Sequence, residues 1–193
     1  LGPARVKLAD AFLRQGNAAG ALAEAVRAAD LLPNDLDAQL KAGALLLAAG
    51  RAEEAKARAE KALAIDAKSV QGLVLRANAL AGLKDLDGAL EQMQQALQLD
   101  PRSSLQANLG YLYAARGNMP EAEAAFRQAV AAEPGSVPVR LALGQFLWAT
   151  GRPAEAEAEF KAALRDAEPG GRRYSPWASQ LDRWRARARR EKP

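Results

Sequence analysis

Small and large apolar residues recur along this chain with a period close to 34 residues. The clearest mark is a pair of alanines seven apart: Ala21 and Ala28, Ala55 and Ala62, Ala89 and Ala96, Ala122 and Ala129, Ala156 and Ala163. Successive copies are 34, 34, 33 and 34 residues apart. A second small position keeps the same steps at Ala9, Gly43, Ala77, Gly110 and Gly144, and a large apolar residue follows three positions later at Phe12, Leu46, Leu80, Tyr113 and Leu147. A turn position holds Gly16, Gly50, Lys84, Gly117 and Gly151. Each copy closes near a proline (Pro33, Pro101, Pro134), with Ala67 in its place in the second and Glu168-Pro169 displaced by one in the fifth.

Apolar spacings of three and four indicate helices, and no strand-like alternation interrupts them. The pattern predicts five helix pairs: 3–15 and 18–31, 36–48 and 52–65, 70–82 and 86–99, 103–115 and 119–132, 137–149 and 153–166. Glycine in the turn supplies a positive φ after the first helix of a pair. Asp35, Ser69, Ser103 and Ser136 are placed to open first helices, and Asn118 with Pro120, or Pro153, to open second ones. Small residues at Ala9, Ala21, Ala28 and their equivalents let the helices of a pair approach closely. After a break at 169–174, residues 175–193 are expected to form a capping helix and basic tail, with Trp177, Leu181, Trp184 and Ala188 on one face.

A 34-residue helix–turn–helix unit with these small, large and turn positions resembles the tetratricopeptide repeat (TPR). The resemblance covers residues 2–168 as five units, 2–35, 36–69, 70–102, 103–136 and 137–168. It implies an all-α fold, a right-handed superhelical solenoid of antiparallel helix pairs. Three departures stand out. The family's tryptophan near the start of each repeat is replaced by Arg5, Gln39, Leu73, Gln106 and Arg140. Arg76 occupies a usually apolar position, and Lys84 replaces the turn glycine. The last two fall in the third unit, which predicts a looser pair or a bend there.

Composition narrows the chemistry. The 193 residues contain no Cys and no His, which excludes disulfides, thiolate or imidazole metal sites, and Ser–His–Asp or Cys–His catalysis within this chain. About a quarter of the residues are alanine, so the apolar excess consists of small helix formers. No apolar run approaches the roughly 20 residues of a membrane-spanning helix, so membrane insertion is not expected. The carboxylate runs Glu53-Glu54 and Glu155/Glu157/Glu159 lie among Lys56, Arg58, Lys61 and Lys161 and read as solvated faces. No catalytic role, metal or other cofactor is expected. Net charge is +4, but residues 172–193 alone carry eight basic against two acidic residues. Such a tail can attract nucleic acid or anionic lipid; the reading adopted is a solvated capping face. No nucleic-acid partner is expected, because the array has no basic groove.

In the family, first helices line a concave groove that takes a peptide or a partner helix. The resemblance places Val6, Asp10, Leu13, Leu40, Ala44, Leu47, Val74, Asn78, Ala81, Ala107, Asn108, Tyr111, Ala114, Leu141, Gln145 and Trp148 there. From these, Leu40, Leu47, Val74, Asn78, Asn108, Tyr111, Leu141, Gln145 and Trp148 form the expected ligand-binding set: apolar surface, amides that both donate and accept, and two flat anchors. A well-known form of the family clamps a partner's C-terminal carboxylate with Lys, Arg and Asn. Val74, Asn78, Asn108, Pro138 and Ala142 occupy those positions here. Only the two asparagines match, which excludes the clamp.

The expected function is a scaffold or adaptor that holds a protein partner, in a bacterial assembly or envelope complex. The alternatives are the targeting or substrate-binding region of a larger enzyme, and a scaffold that self-associates through an uncapped N-terminal end. The chain opens at Leu1-Gly2-Pro3 with no initiator Met, which reads as a processed or excised piece, and because its N-terminal end lacks a cap over Leu8 and Phe12, further repeats are expected before it. Alanine, arginine and glycine usage suggests a bacterial source. Bacterial cytoplasm and periplasm or cell envelope are both compatible with the sequence.

Overall fold

The computed structural model describes residues 1–167, so the expected linker and capping helix lie outside the described residues. Among the described residues there are ten α-helices and no strand: α1 Gly2–Arg14, α2 Ala18–Leu31, α3 Leu36–Ala48, α4 Ala52–Ile65, α5 Val70–Gly82, α6 Leu86–Leu99, α7 Ser103–Arg116, α8 Met119–Ala132, α9 Val137–Ala149 and α10 Pro153–Ala167. Only three helices depart from the expected ranges. Helix α1 sits one residue earlier, and α7 and α10 each run one residue longer. The helices group into two compact units, α1–α6 in Leu1–Pro101 and α7–α10 from Arg102 onward.

Every pair turns in the same way. The amide one residue past the turn position donates to the carbonyl of the recurrent large apolar residue: Asn17 to Phe12, Arg51 to Leu46, Asp85 to Leu80, Asn118 to Tyr113 and Arg152 to Leu147, at 2.9–3.0 Å. That six-residue closure needs a left-handed residue at the turn. Gly16, Gly50, Gly117 and Gly151 supply it with φ of +73°, +75°, +92° and +80°. Lys84 adopts the same conformation at φ +68°, the one non-glycine with positive φ among the described residues.

Capping follows the sequence in part. Asp35 and Ser69 accept the amides of Ala38 and Gly72 at 2.8 and 3.1 Å, and Asn17 and Asp85 do the same for α2 and α6. Ser103 is not a cap: Arg102 occupies that place and Ser103 begins the helix. Ser136 and Asn118 sit at N-caps without a side-chain bond; each is followed by a proline in the first turn, which already removes one unpaired donor.

The recurrent alanines are the contact between paired helices. Ala9, Ala21, Ala55, Ala62, Ala89, Ala96, Ala122, Ala129 and Ala156 have essentially no exposed surface. At three of the five positions the missing tryptophan is replaced by a polar link within the pair, between residues nineteen apart. Arg5 pairs with the buried Glu24 at 2.5 Å, Arg140 with Glu159 at 2.8 Å, and Arg58 donates to the fully buried Gln39 at 3.3 Å. Gln39 in turn donates to the Ala29 carbonyl at 2.8 Å, satisfying an acceptor in the last turns of α2. In the third pair, Arg76 is half-buried, has no hydrogen bond or ion pair among the described residues, and buries an Nε without a partner.

Candidate functional site

In the first unit the predicted groove residues lie on α1, α3 and α5. Leu40, Leu47, Val74 and Asn78 are each half-buried. Leu47 packs beside the cluster of Leu46, Ala55 and Ala79, while Leu13 is 43% exposed. Val74 and Asn78, four apart on α5, share one helix face. Asp10 of α1 accepts from Lys41 of α3 at 2.6 Å, so this surface carries an ion pair in an otherwise apolar and amide setting. The predicted set omits Lys41. Its signal is spatial, since nothing near Lys41 in sequence marks Asp10, 31 residues earlier, as its partner.

In the second unit Asn108 and Tyr111 stand on α7, and Leu141, Gln145 and Trp148 on α9. The α9 residues are four and then three apart, which aligns them along one stripe. Tyr111 is 46% exposed. Its ring makes a T-shaped contact with Phe126, with centroids 4.9 Å apart and planes at 80°. Its hydroxyl donates to Gln145 Oε1 at 3.4 Å, a long and therefore weak bond linking α7 to α9. Partial burial raises the phenol pKa above 10.0, so the hydroxyl remains a neutral donor at physiological pH. Leu141 and Trp148 are half-buried against the core of Phe126, Leu143, Phe146 and Phe160, which fixes one side of each. Ala107 belongs to that core at 6% exposure, so it offers no groove surface.

Asn78 and Asn108 share a feature that the sequence does not reveal. Both are half-buried, and neither amide has a hydrogen-bond partner among the described residues. Neither amide is among the buried polar atoms that lack a partner, so both are open to water and can exchange it for a ligand carbonyl or N–H. The carboxylate runs behave differently. Glu54 is held by Arg51 at 2.5 and 2.6 Å, Glu155 by Arg152, Glu159 by Arg140 and Glu157 by Lys161. Arg152 holds both Glu155 and Glu123 at 2.7 Å, and its hydrogen bonds push both carboxyls below the usual glutamate value of 4.5. Carboxylates tied down as permanent anions are poor proton donors. No group of three potential metal-binding His, Cys, Asp or Glu side chains occurs among the described residues.

Sequence profiles of the tetratricopeptide repeat match residues 2–27, 40–137 in two overlapping copies, and 113–175. No relative was found among curated proteins. Several solved structures are similar. A thermophilic TPR protein of Thermus thermophilus is 24% identical with a TM-score of 0.79, covering 96% of this chain and 98% of that one. PilF of Pseudomonas aeruginosa is 21% identical with a TM-score of 0.68, covering 89% and 77%. MamA from Desulfovibrio magneticus RS-1 is 18% identical with a TM-score of 0.68, covering 86% and 94%. At these identities the likeness is one of fold.

Proposed function

This chain belongs to the tetratricopeptide repeat family, whose members are protein-interaction scaffolds, and from that premise we propose that its first-helix faces bind a partner's peptide segment. The reading rests on the two half-buried asparagine amides without partners, one in each unit. In the second unit, Asn108 bonds the backbone of the bound segment, while Tyr111 and Trp148 receive its apolar side chains. In the first unit, Asn78 plays the same role beside Val74, Leu40 and Leu47. The mechanism is presentation on a rigid surface, with no covalent step.

A displayed peptide library selected on the whole chain tests this. Selected peptides are expected to carry apolar side chains. They should lose at least about tenfold in affinity on Asn108→Ala/Tyr111→Ala/Trp148→Ala or on Val74→Ala/Asn78→Ala, matching the usual cost of truncating interface anchors. Circular dichroism confirms that both variants fold. Peptides that bind both variants as tightly as the wild type would show that another surface is the working one.

A further inference from the structure

The third pair lacks the polar link that joins the helices of the first, second and fifth. In those pairs the fourth residue of the unit meets the residue nineteen later: Arg5 with Glu24, Gln39 with Arg58 and Arg140 with Glu159. In the third pair these places hold Leu73 and Gln92, and leucine offers an amide neither donor nor acceptor. Gln92 is nevertheless buried, with 7% of its surface exposed, and its amide has no hydrogen bond among the described residues. Neither atom of that amide is sealed from solvent, so the tip of a buried side chain stays open to water.

Arg76 follows Leu73 by one turn of α5. The other four units hold Leu8, Ala42, Leu109 and Leu143 in its register. A Cβ built on Gly43 would stand 3.2 Å from the Cβ of Arg58, so the eighth residue of a unit packs against the same residue that the fourth one meets. In the third pair the eighth residue is Ala77. The register therefore sets Gln92 against Leu73 and Ala77, with Arg76 between them in the chain. Arg76 Nε is sealed without a partner, but its two terminal nitrogens are not sealed, and no carboxylate among the described residues pairs with them.

The surroundings leave that charge uncompensated. A Cβ on Gly72 would stand 3.0 Å from Leu63, so the face of α5 that carries Gly72 and, one turn on, Arg76 lies against α4. On α4, Lys56 and Glu60 flank Ala59 and cancel in charge, and Arg58 is balanced by Asp30 at 2.7 Å. On α6, Glu91 is exposed about 100° round the helix from Gln92 and accepts from Gln95 at 3.3 Å. Arg76, Gln92 and Ala59 are all interior to their helices, so no helix end adds a partial charge beside them.

We propose that Arg76 and Gln92 form a carboxylate site, filled by an Asp or Glu side chain of a partner protein. The planar fork of Arg76 takes the two oxygens, and the Gln92 N–H donates a further bond. One surplus positive charge matches a carboxylate rather than a phosphate dianion. A protein source follows from the family to which the chain belongs. Val74 and Asn78 each stand two residues from Arg76, about 160–200° round α5, so this site faces away from the peptide surface proposed above.

The test is NMR of the isotope-labelled whole chain, with the blocked tripeptide Ala-Glu-Ala as probe and Ala-Gln-Ala as control. The Arg76 Nε–H signal is identified by its loss in Arg76→Lys. The glutamate peptide is expected to shift this signal and the Gln92 side-chain amide together and saturably, and the control to leave both in place. Gln92→Leu, which keeps the volume, and Arg76→Lys, which keeps the charge but not the fork, should each weaken binding about tenfold, the cost of a lost hydrogen bond to a charged group. Circular dichroism checks that both variants fold. Asn108→Ala/Tyr111→Ala/Trp148→Ala should leave the shifts unchanged, so the two surfaces fail separately. Equal affinity in wild type and Gln92→Leu would overturn the proposal, as would equal shifts with sodium chloride. Inorganic phosphate that saturates the same signals more tightly than the tripeptide would overturn the assignment to a carboxylate.

Discussion

In every pair, a small residue of the first helix is matched by a residue sixteen positions later in the second, and the two units fill that place differently. In the second unit a phenylalanine lies over a glycine. A Cβ built on Gly110 would stand 2.9 Å from the Phe126 ring, and one on Gly144 would run into the Phe160 ring. In the first unit the corresponding residues are Ala9 and Ala25, Gly43 and Ala59, and Ala77 and Met93. The space over Gly43 is taken by the end of Leu75, from the following pair. The second unit thus seals each pair with its own ring, whereas at Gly43 the first borrows a side chain from its neighbour. A ring inside the pair also positions the surface, because Phe126 contacts both Tyr111 and Phe146, with centroids 4.9 and 5.2 Å away.

The largest expected effect comes from removing a ring. Phe126→Ala should destabilise the chain by about 3–5 kcal/mol in urea unfolding, the usual cost of a large cavity. It should also loosen Tyr111. An equal loss from Ala25→Gly in the first unit would break the contrast. Next, Gly144→Ala forces a methyl against an aromatic ring and should cost roughly 1–3 kcal/mol. Gly43→Ala meets the end of Leu75 and, at 3.2 Å, the Cβ of Arg58, while its better helix propensity offsets about 1 kcal/mol, so it should cost less than Gly144→Ala. Both variants are read from the same denaturation curves.

A smaller effect of opposite sign is expected at Lys84. Its left-handed backbone costs roughly 1–2 kcal/mol for a residue with a Cβ. Lys84→Gly should therefore raise stability by about 1 kcal/mol once glycine's larger unfolded-state entropy is subtracted. The smallest effect concerns Arg152. Glu123 and Glu155 have folded pKa values below their ordinary 4.5, chiefly through hydrogen bonds from Arg152. The stability they contribute is present above that value and is lost as pH falls through the folded values. Urea midpoints measured at descending pH should fall more steeply for wild type than for Arg152→Gln, and the two should converge in acid.

Much of the fold was legible because its signals are local. Turn glycines, alanine pairs and apolar spacing act within a few residues, so helix ends came out within one residue of their expected places. The groove was less legible. Tyr111 and the asparagines were marked by register, but the Asp10–Lys41 pair joins residues 31 apart and has no local signature. Ala107 was assigned to the groove by register, yet it lies in the core because its face of α7 is covered from α8 and α9. The lost tryptophan was visible in the sequence. The polar links that replace it were not, because Arg5–Glu24, Gln39–Arg58 and Arg140–Glu159 meet only when the pairs are packed.

The sequence by itself determined the period, the helices and the turn chemistry, because backbone preference and apolar spacing are properties of neighbouring residues. Tertiary structure decided which side chain fills each small-residue gap, which amides are left without partners, and which apolar residues stay exposed. Those outcomes depend on the distance between helices and on what arrives from the next pair, and a one-dimensional pattern carries neither.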